Sequence, residues 1–259
     1  KVSVMSESPV RYELSEGIAT ITIDRPEAMN ALNKAVREGL WAALRRFADD
    51  DEALVGILTA TGEKVFCAGG DLKEMSETAL KVPPPDFVPY LNHNIKTNKP
   101  VIAAVNGLAY AGGFLLAQMC DLVIAAENAK FAITEPKWSR GAPWAAPLPW
   151  LIPPRVAMEL LVTAKPISAE RAYQIGLINQ IVPLAELQDA AREMATTIAQ
   201  NAPLSVRAGK QMVYAVAEVG WSEAQKVGDE IYEHVYLSED AQEGPTAFKE
   251  KRAPVWKAR

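Results

Sequence analysis

Phe66-Cys67-Ala68-Gly69-Gly70-Asp71-Leu72-Lys73 and Asn106-Gly107-Leu108-Ala109-Tyr110-Ala111-Gly112-Gly113-Phe114 decide how this chain is read. Each is a glycine turn that follows an apolar run and opens a helix. A helix N-terminus presents unpaired N–H groups and the positive end of the macrodipole. Glycine permits the tight turn and lets a ligand approach the backbone closely. Two such turns facing one point form a pair of donors suited to a developing oxyanion. An acyl-group enzyme is therefore the leading reading.

Around the turns, strand-like and helical segments alternate. Tyr12 to Asp24 reads as a hairpin, with Ser15-Glu16-Gly17 as its turn and Ile18–Ile23 as a β-branched second strand. An amphipathic helix follows, with Leu32, Val36, Leu40, Leu44 and Phe47 on one face. Leu54–Thr59 and Val101–Val105 read as buried strands leading into the two turns, and Asp121–Ala126 and Lys130–Ile133 as further strands. The unit strand, glycine turn, helix, strand recurs, which argues for an α/β core. Past Lys137 the pattern changes. Arg155–Thr163, Ser168–Ile175, Leu184–Gln200, Leu204–Ala217 and Ser222–Leu237 show helical spacing, interrupted by a strand-like Leu177–Val182. Pro83-Pro84-Pro85 reads as a surface loop and Asp49-Asp50-Asp51-Glu52 as a solvated one.

Composition narrows the classes. A chain of 259 residues buries a sizeable core, and 49% apolar with 23% charged residues is ordinary for a globular protein. The net charge of −5 gives no electrostatic case for nucleic-acid binding. The longest apolar run, Val101 to Ala126, is broken by Asn106, Gly107, Gly112, Gly113 and Asp121, so no membrane span is expected. The start shows no basic segment followed by an apolar one, and a cytoplasmic location is expected. Cys67 and Cys120 lack motif spacing and read as buried free thiols. His93 and His234 stand alone, so no metal site is assembled, and no G-x-S-x-G elbow occurs.

Together with Asn30-Ala31-Leu32-Asn33, Ala104-Val105-Asn106-Gly107, Cys120-Asp121, Ala169–Val182 and Glu239-Asp240-Ala241-Gln242-Glu243-Gly244, the two turns resemble the crotonase, or enoyl-CoA hydratase/isomerase, superfamily. The resemblance runs from about Tyr12 to Arg252. It implies a spiral of ββα units over residues 1–200 carrying a thioester site, and a helical trimerisation region over residues 201–259. It implies an acyl-CoA thioester substrate, no separate cofactor, and a homotrimer or dimer of trimers. By the motif match, the oxyanion donors are the N–H groups of Gly70 and Gly112. Ala68, Leu72 and Lys73, with Ala28 and Met29, line the coenzyme A arm. Phe248 and Lys251 match positions that reach the ligand from a neighbouring chain.

The acid–base positions depart from the family pattern. Of two family glutamates, one corresponds to Leu115, which cannot transfer a proton. The other corresponds to Glu135 in Ile133-Thr134-Glu135-Pro136. In an apolar pocket its pKa is expected to rise, which suits a proton shuttle; the alternative is an ion pair. Asp71 reads as a helix cap and Glu74 as solvated. Tyr110 reads either as a hydroxyl near the pocket or as packing. The segment from Lys137 to Arg155 holds Trp138, Trp144, Trp150 and five prolines. It reads either as a rigid aromatic wall of the acyl pocket, with Trp138 contacting substrate, or as subunit packing. Arg140 reads as a partner either of a substrate carboxylate or of Glu135. The expected activity is hydratase/isomerase chemistry with one glutamate. The alternatives are a silent coenzyme A-ester binding protein and an aromatic acyl-CoA hydratase/lyase.

Overall fold

The computed structural model of the chain describes residues 8–79 and 81–259. β1 (Val10–Ser15) and β2 (Ile18–Ile23) form the expected antiparallel hairpin, turned at Glu16 and Gly17, both at positive φ. α1 (Lys34–Asp49) begins where the Asn33 side chain accepts a hydrogen bond from the Val36 N–H, and it buries Val36, Leu40, Leu44 and Phe47. Leu32, expected on that helical face, precedes the helix and instead bridges Gly70.

Three strand pairs follow: β3 (Val55–Ala60) and β4 (Val65–Cys67), then β5 (Val101–Val105) and β6 (Leu108–Tyr110), then β7 (Leu122–Ala126) and β8 (Lys130–Ala132). α2 (Leu72–Glu77) closes the first unit and α3 (Gly112–Gln118) the second. The long strand of each pair enters a six-stranded sheet. Its short partner enters a second sheet of four strands. The repeat is thus strand, short strand, helix. The sequence pattern does not reveal β4 and β6, because three residues against a glycine turn leave no room for alternation to show.

The C-terminal elements are α4 (Leu148–Leu151), α5 (Pro154–Thr163), β9 (Ile167–Ser168), α6 (Ala169–Gln174), β10 (Gln180–Val182), α7 (Leu187–Gln200), α8 (Pro203–Val216), α9 (Trp221–Tyr236) and α10 (Asp240–Glu250). The large sheet has the order β1-β2-β3-β5-β7-β10, and the small one β4-β6-β8-β9. β3 and β5 are buried along their whole length because both faces are covered. One face meets α7 through Ile57, Ile102, Ala191 and Ala195; the other meets α1 and the small sheet. α10 is not evident from spacing: Gly244 and Pro245 sit inside it and disguise its periodicity.

α8 is pinned to the core by charge. Lys210 Nζ donates to Asp121 Oδ2 and to the Lys99 carbonyl, both at 2.9 Å, and the Tyr214 hydroxyl donates to Asp121 Oδ1 at 2.8 Å. Lys99 Nζ in turn donates to the carbonyls of Phe47, Ala48 and Asp50 at the end of α1. A cation there satisfies carbonyls the helix leaves unpaired.

Candidate active site

The first glycine turn leaves β4 at Cys67. Gly69 sits at φ +97°, its N–H on the Cys67 sulfur at 3.4 Å and its carbonyl accepting from the Leu32 N–H at 2.8 Å. The Ala68 N–H donates to the Met29 carbonyl at 3.1 Å, which lays Ala28 and Met29 alongside Ala68. Asn30 secures that segment, donating to the Thr61 and Val65 carbonyls and accepting from the Arg25 N–H. Past Gly70, Asp71 caps α2 by accepting from the Lys73 and Glu74 N–H groups, as expected. Arg25 lies 2.9 Å from its carboxylate and, as the main cause, holds it below the usual range. Glu74 corrects its reading as solvated. Its carboxylate meets Arg37 at 2.6 Å and accepts from the Lys34 N–H at 2.7 Å, so it clamps α2 to the start of α1.

The second turn leaves β6 at Tyr110. Ala111 stands at φ +49°, ψ −119°, a conformation costly for any residue with a Cβ. Its N–H is tied to the Ala132 carbonyl at 2.9 Å. Gly112 then opens α3. The turns are packed against one another: a Cβ added to Gly69 would stand 3.2 Å from Gly112 N, and one added to Gly113 would fall 2.0 Å from the Cys67 carbonyl oxygen. Among the described residues, neither the Gly70 nor the Gly112 N–H donates to a protein acceptor.

β8 runs parallel to β6, with Ala132 opposite Tyr110, so the chain leaving β8 arrives beside the second turn. Glu135 begins a 3₁₀ turn there, Glu135–Trp138. The residue is 9% exposed. Its Oε1 accepts from Trp144 Nε1 at 2.8 Å, and its buried Oε2 has no partner among the described residues. Burial is the main influence and raises the carboxyl pKa; the nearby backbone N–H groups of Glu135 and Thr134 and the Trp144 hydrogen bond oppose the rise. Arg140 contributes only its backbone N–H, to the Glu135 carbonyl, while its guanidinium reaches the Lys81 carbonyl.

Leu115 is buried in α3, one turn past Gly112, within the main core. Beside it Phe114 packs on Phe131 and on Trp144, with ring centroids 5.7 Å apart in each pair. The three tryptophans of the proline-rich segment separate. Trp144 turns inward, whereas Trp138 and Trp150 are 58% and 78% exposed. Met29, Leu72 and Lys73 are exposed around the first turn. Phe248 and Lys251 stand exposed at the end of α10, which packs on α9. Among the described residues no hydrogen bond or ion pair ties them to the turns. Tyr110 is half-buried, and burial raises its pKa.

Sequence reasoning missed Trp144's bond to Glu135, and it missed Gln118 and Tyr90. Gln118 Nε2 donates to the Trp144 carbonyl at 3.0 Å and to the Tyr90 hydroxyl at 3.2 Å; that hydroxyl also reaches the Trp144 carbonyl, at 3.3 Å. Gln118 had a signal, as the lone polar side chain in Gly113–Cys120. Tyr90 had none.

The family model described as enoyl-CoA hydratase/isomerase matches residues 13–259. Carnitinyl-CoA dehydratase of Salmonella typhi is 41% identical over 265 residues, covering 98% of this chain and all of that protein. The structure of an enoyl-CoA hydratase from Mycobacterium tuberculosis H37Rv superposes with a TM-score of 0.88 at 36% identity, over 98% of this chain and 100% of that one. A probable enoyl-CoA hydratase/isomerase from Mycobacterium abscessus gives 0.86 at 40% identity, over 97% and 99%. The fold of two sheets built from strand pairs, with a helical C-terminal portion, is shared with these proteins. The chain belongs to the enoyl-CoA hydratase/isomerase family of the crotonase superfamily and is an acyl-CoA enzyme of that type.

Proposed function

We propose that the chain moves a proton along the acyl group of an enoyl-CoA thioester, with Glu135 as its one acid–base group. The observation that carries this is the buried Oε2 of Glu135, unpartnered among the described residues, just past the strand that pairs Ala132 with Tyr110 at the second turn, together with Gly70 and Gly112 N–H groups free of protein acceptors among those residues. The Gly70 and Gly112 N–H groups hold the thioester oxygen as it becomes an enolate, each contributing about 3 kcal/mol. Glu135 removes a proton from the carbon next to the thioester of a 3-enoyl ester. The C–H electrons pass through the carbonyl carbon onto oxygen. They return as the same carboxyl delivers its proton two carbons further out, giving the 2-enoyl ester. A raised pKa brings the carboxyl nearer to both halves of that exchange.

Ala28, Met29, Ala68, Leu72 and Lys73 form the rim along which the coenzyme A arm lies, and Trp138 borders its acyl end. Phe248 and Lys251 serve the site of a neighbouring copy in a homotrimer or dimer of trimers, with residues 201–259 as the assembling region. Their exposure in the single chain supports this. The two buried free thiols favour a reducing, cytoplasmic setting.

Leu115 favours a second reading, a coenzyme A-ester binding protein without turnover. The Salmonella relative's name adds dehydration of a hydroxyacyl ester to the reactions worth testing. Turnover of 2-enoyl-, 3-enoyl-, aromatic acyl- and carnitinyl-CoA by wild type and Glu135→Gln separates them. Isomerisation of the 3-enoyl ester that E135Q loses supports the proposal. Tight binding without turnover of any ester supports the second reading.

A further inference from the structure

Glu135 has two chemically distinct oxygens. Oε1 receives the indole N–H of Trp144 at 2.8 Å, while Oε2 is buried and unpartnered. An indole N–H only donates, and in a protonated carboxyl the carbonyl oxygen accepts better than the hydroxyl oxygen. The contact therefore favours the exchangeable proton on Oε2 over Oε1. Trp144 is itself held from two sides. Its carbonyl accepts from Gln118 and from the Tyr90 hydroxyl, and its ring packs on Phe114. The Gln118 amide orientation follows from that carbonyl, which requires an N–H facing it. The catalytic carboxylate is thus fixed to α3 by a chain of contacts running through one tryptophan, and α3 is the helix that Gly112 opens.

We propose that Trp144 is a positioning residue that dedicates Oε2 of Glu135 to proton transfer and orients it from the helix carrying the second oxyanion donor. This rests on the reading of Glu135 as the acid–base group. Among the described residues, no charged side chain of the surrounding elements bonds to the carboxyl. Lys137 on the same turn and Arg155 and Glu159 on α5 are exposed, and Arg140 reaches Lys81.

The test uses Glu135→Gln, Trp144→Phe, and a chain carrying benzothienylalanine at position 144, which keeps the bicyclic shape without the N–H. Turnover of a 3-enoyl-CoA ester is followed across pH. Removing a hydrogen bond that favours the ionised carboxyl should move the acidic limb of kcat/KM to higher pH. It should also lower kcat ~10-fold, about one pKa unit in equivalent terms, with KM little changed. In ¹⁵N-indole spectra the Trp144 resonance should titrate with Glu135 in wild type and stand still in E135Q, whatever the turnover. Full turnover in E135Q overturns the acid–base reading and the proposal with it. Loss of turnover in E135Q, combined with an unmoved limb in both position-144 variants or a Trp144 resonance that ignores pH, overturns the proposal alone.

Discussion

A Cβ placed on Gly69 would lie 2.7 Å from the Cβ of Ala111, so the first glycine turn packs against the second too closely there for a side chain. Gly69→Ala meets that clash and also φ +97°. The strained backbone costs about 1–2 kcal/mol and the overpacking about 1–3 kcal/mol. The expected outcome is a variant that unfolds at lower denaturant and loses activity beyond what its folded fraction explains. Urea titration and turnover at matched folded concentration check this.

Glu135→Gln should lose about 10²–10⁴-fold in turnover, the usual worth of a positioned proton-transfer group. Its stability should move the other way. Burial raises the carboxyl pKa above its ordinary 4.5, so the native state holds more protons than the unfolded one between that value and the raised one. The contribution is fully present below 4.5 and is lost as pH rises through the raised value. Glutamine escapes this loss while still accepting from Trp144. E135Q should therefore melt above wild type at pH 8, by a margin that closes on acidification; calorimetry across pH reads it.

Leu115→Glu supplies the second carboxylate on the face of α3 one turn past Gly112. Hydration of crotonyl-CoA should rise at least about tenfold over wild type, by the scale of one general acid or base. Burying the new carboxyl should cost about 1–3 kcal/mol. A folded variant with no gain in hydration would show that the pocket does not seat water opposite Glu135.

Lys210→Ala removes the cation from a pair whose side chains are 5% and 12% exposed and leaves Asp121 buried without it. A loss of about 3–5 kcal/mol is expected, with early exposure of α8. Hydrogen exchange along Pro203–Val216 and urea denaturation measure both.

Burial pushes the Cys67 thiol up to about 12 and drives Cys120 upward as well. A thiol reacts as its thiolate. At pH 8 both should resist a disulfide reagent in the native chain and react at once in denaturant.

Much of this was legible in the sequence because local rules carried it. Hairpin, helix faces and buried strands follow from spacing, and Asp71's cap follows from its place before an apolar turn. β4 and β6 were too short to leave a pattern, and α10 hides behind Gly244 and Pro245. Glu74 looked solvated because its partners, Arg37 and the Lys34 N–H, lie far away along the chain.

The sequence by itself determined the chemical inventory: two glycine turns opening helices and, through the family resemblance, Glu135 at one acid–base position and Leu115 at the other. The turns are properties of residue identity and short-range spacing, and the acid–base assignment follows from the motif match. Only the tertiary structure decided that the turns touch, that Glu135 is buried, and that one of its oxygens accepts from Trp144 while the other has no partner among the described residues. These facts depend on which strands pair across the sheets and on what each side chain then meets. No local pattern encodes that, because free energy is set by contacts between residues distant in the chain.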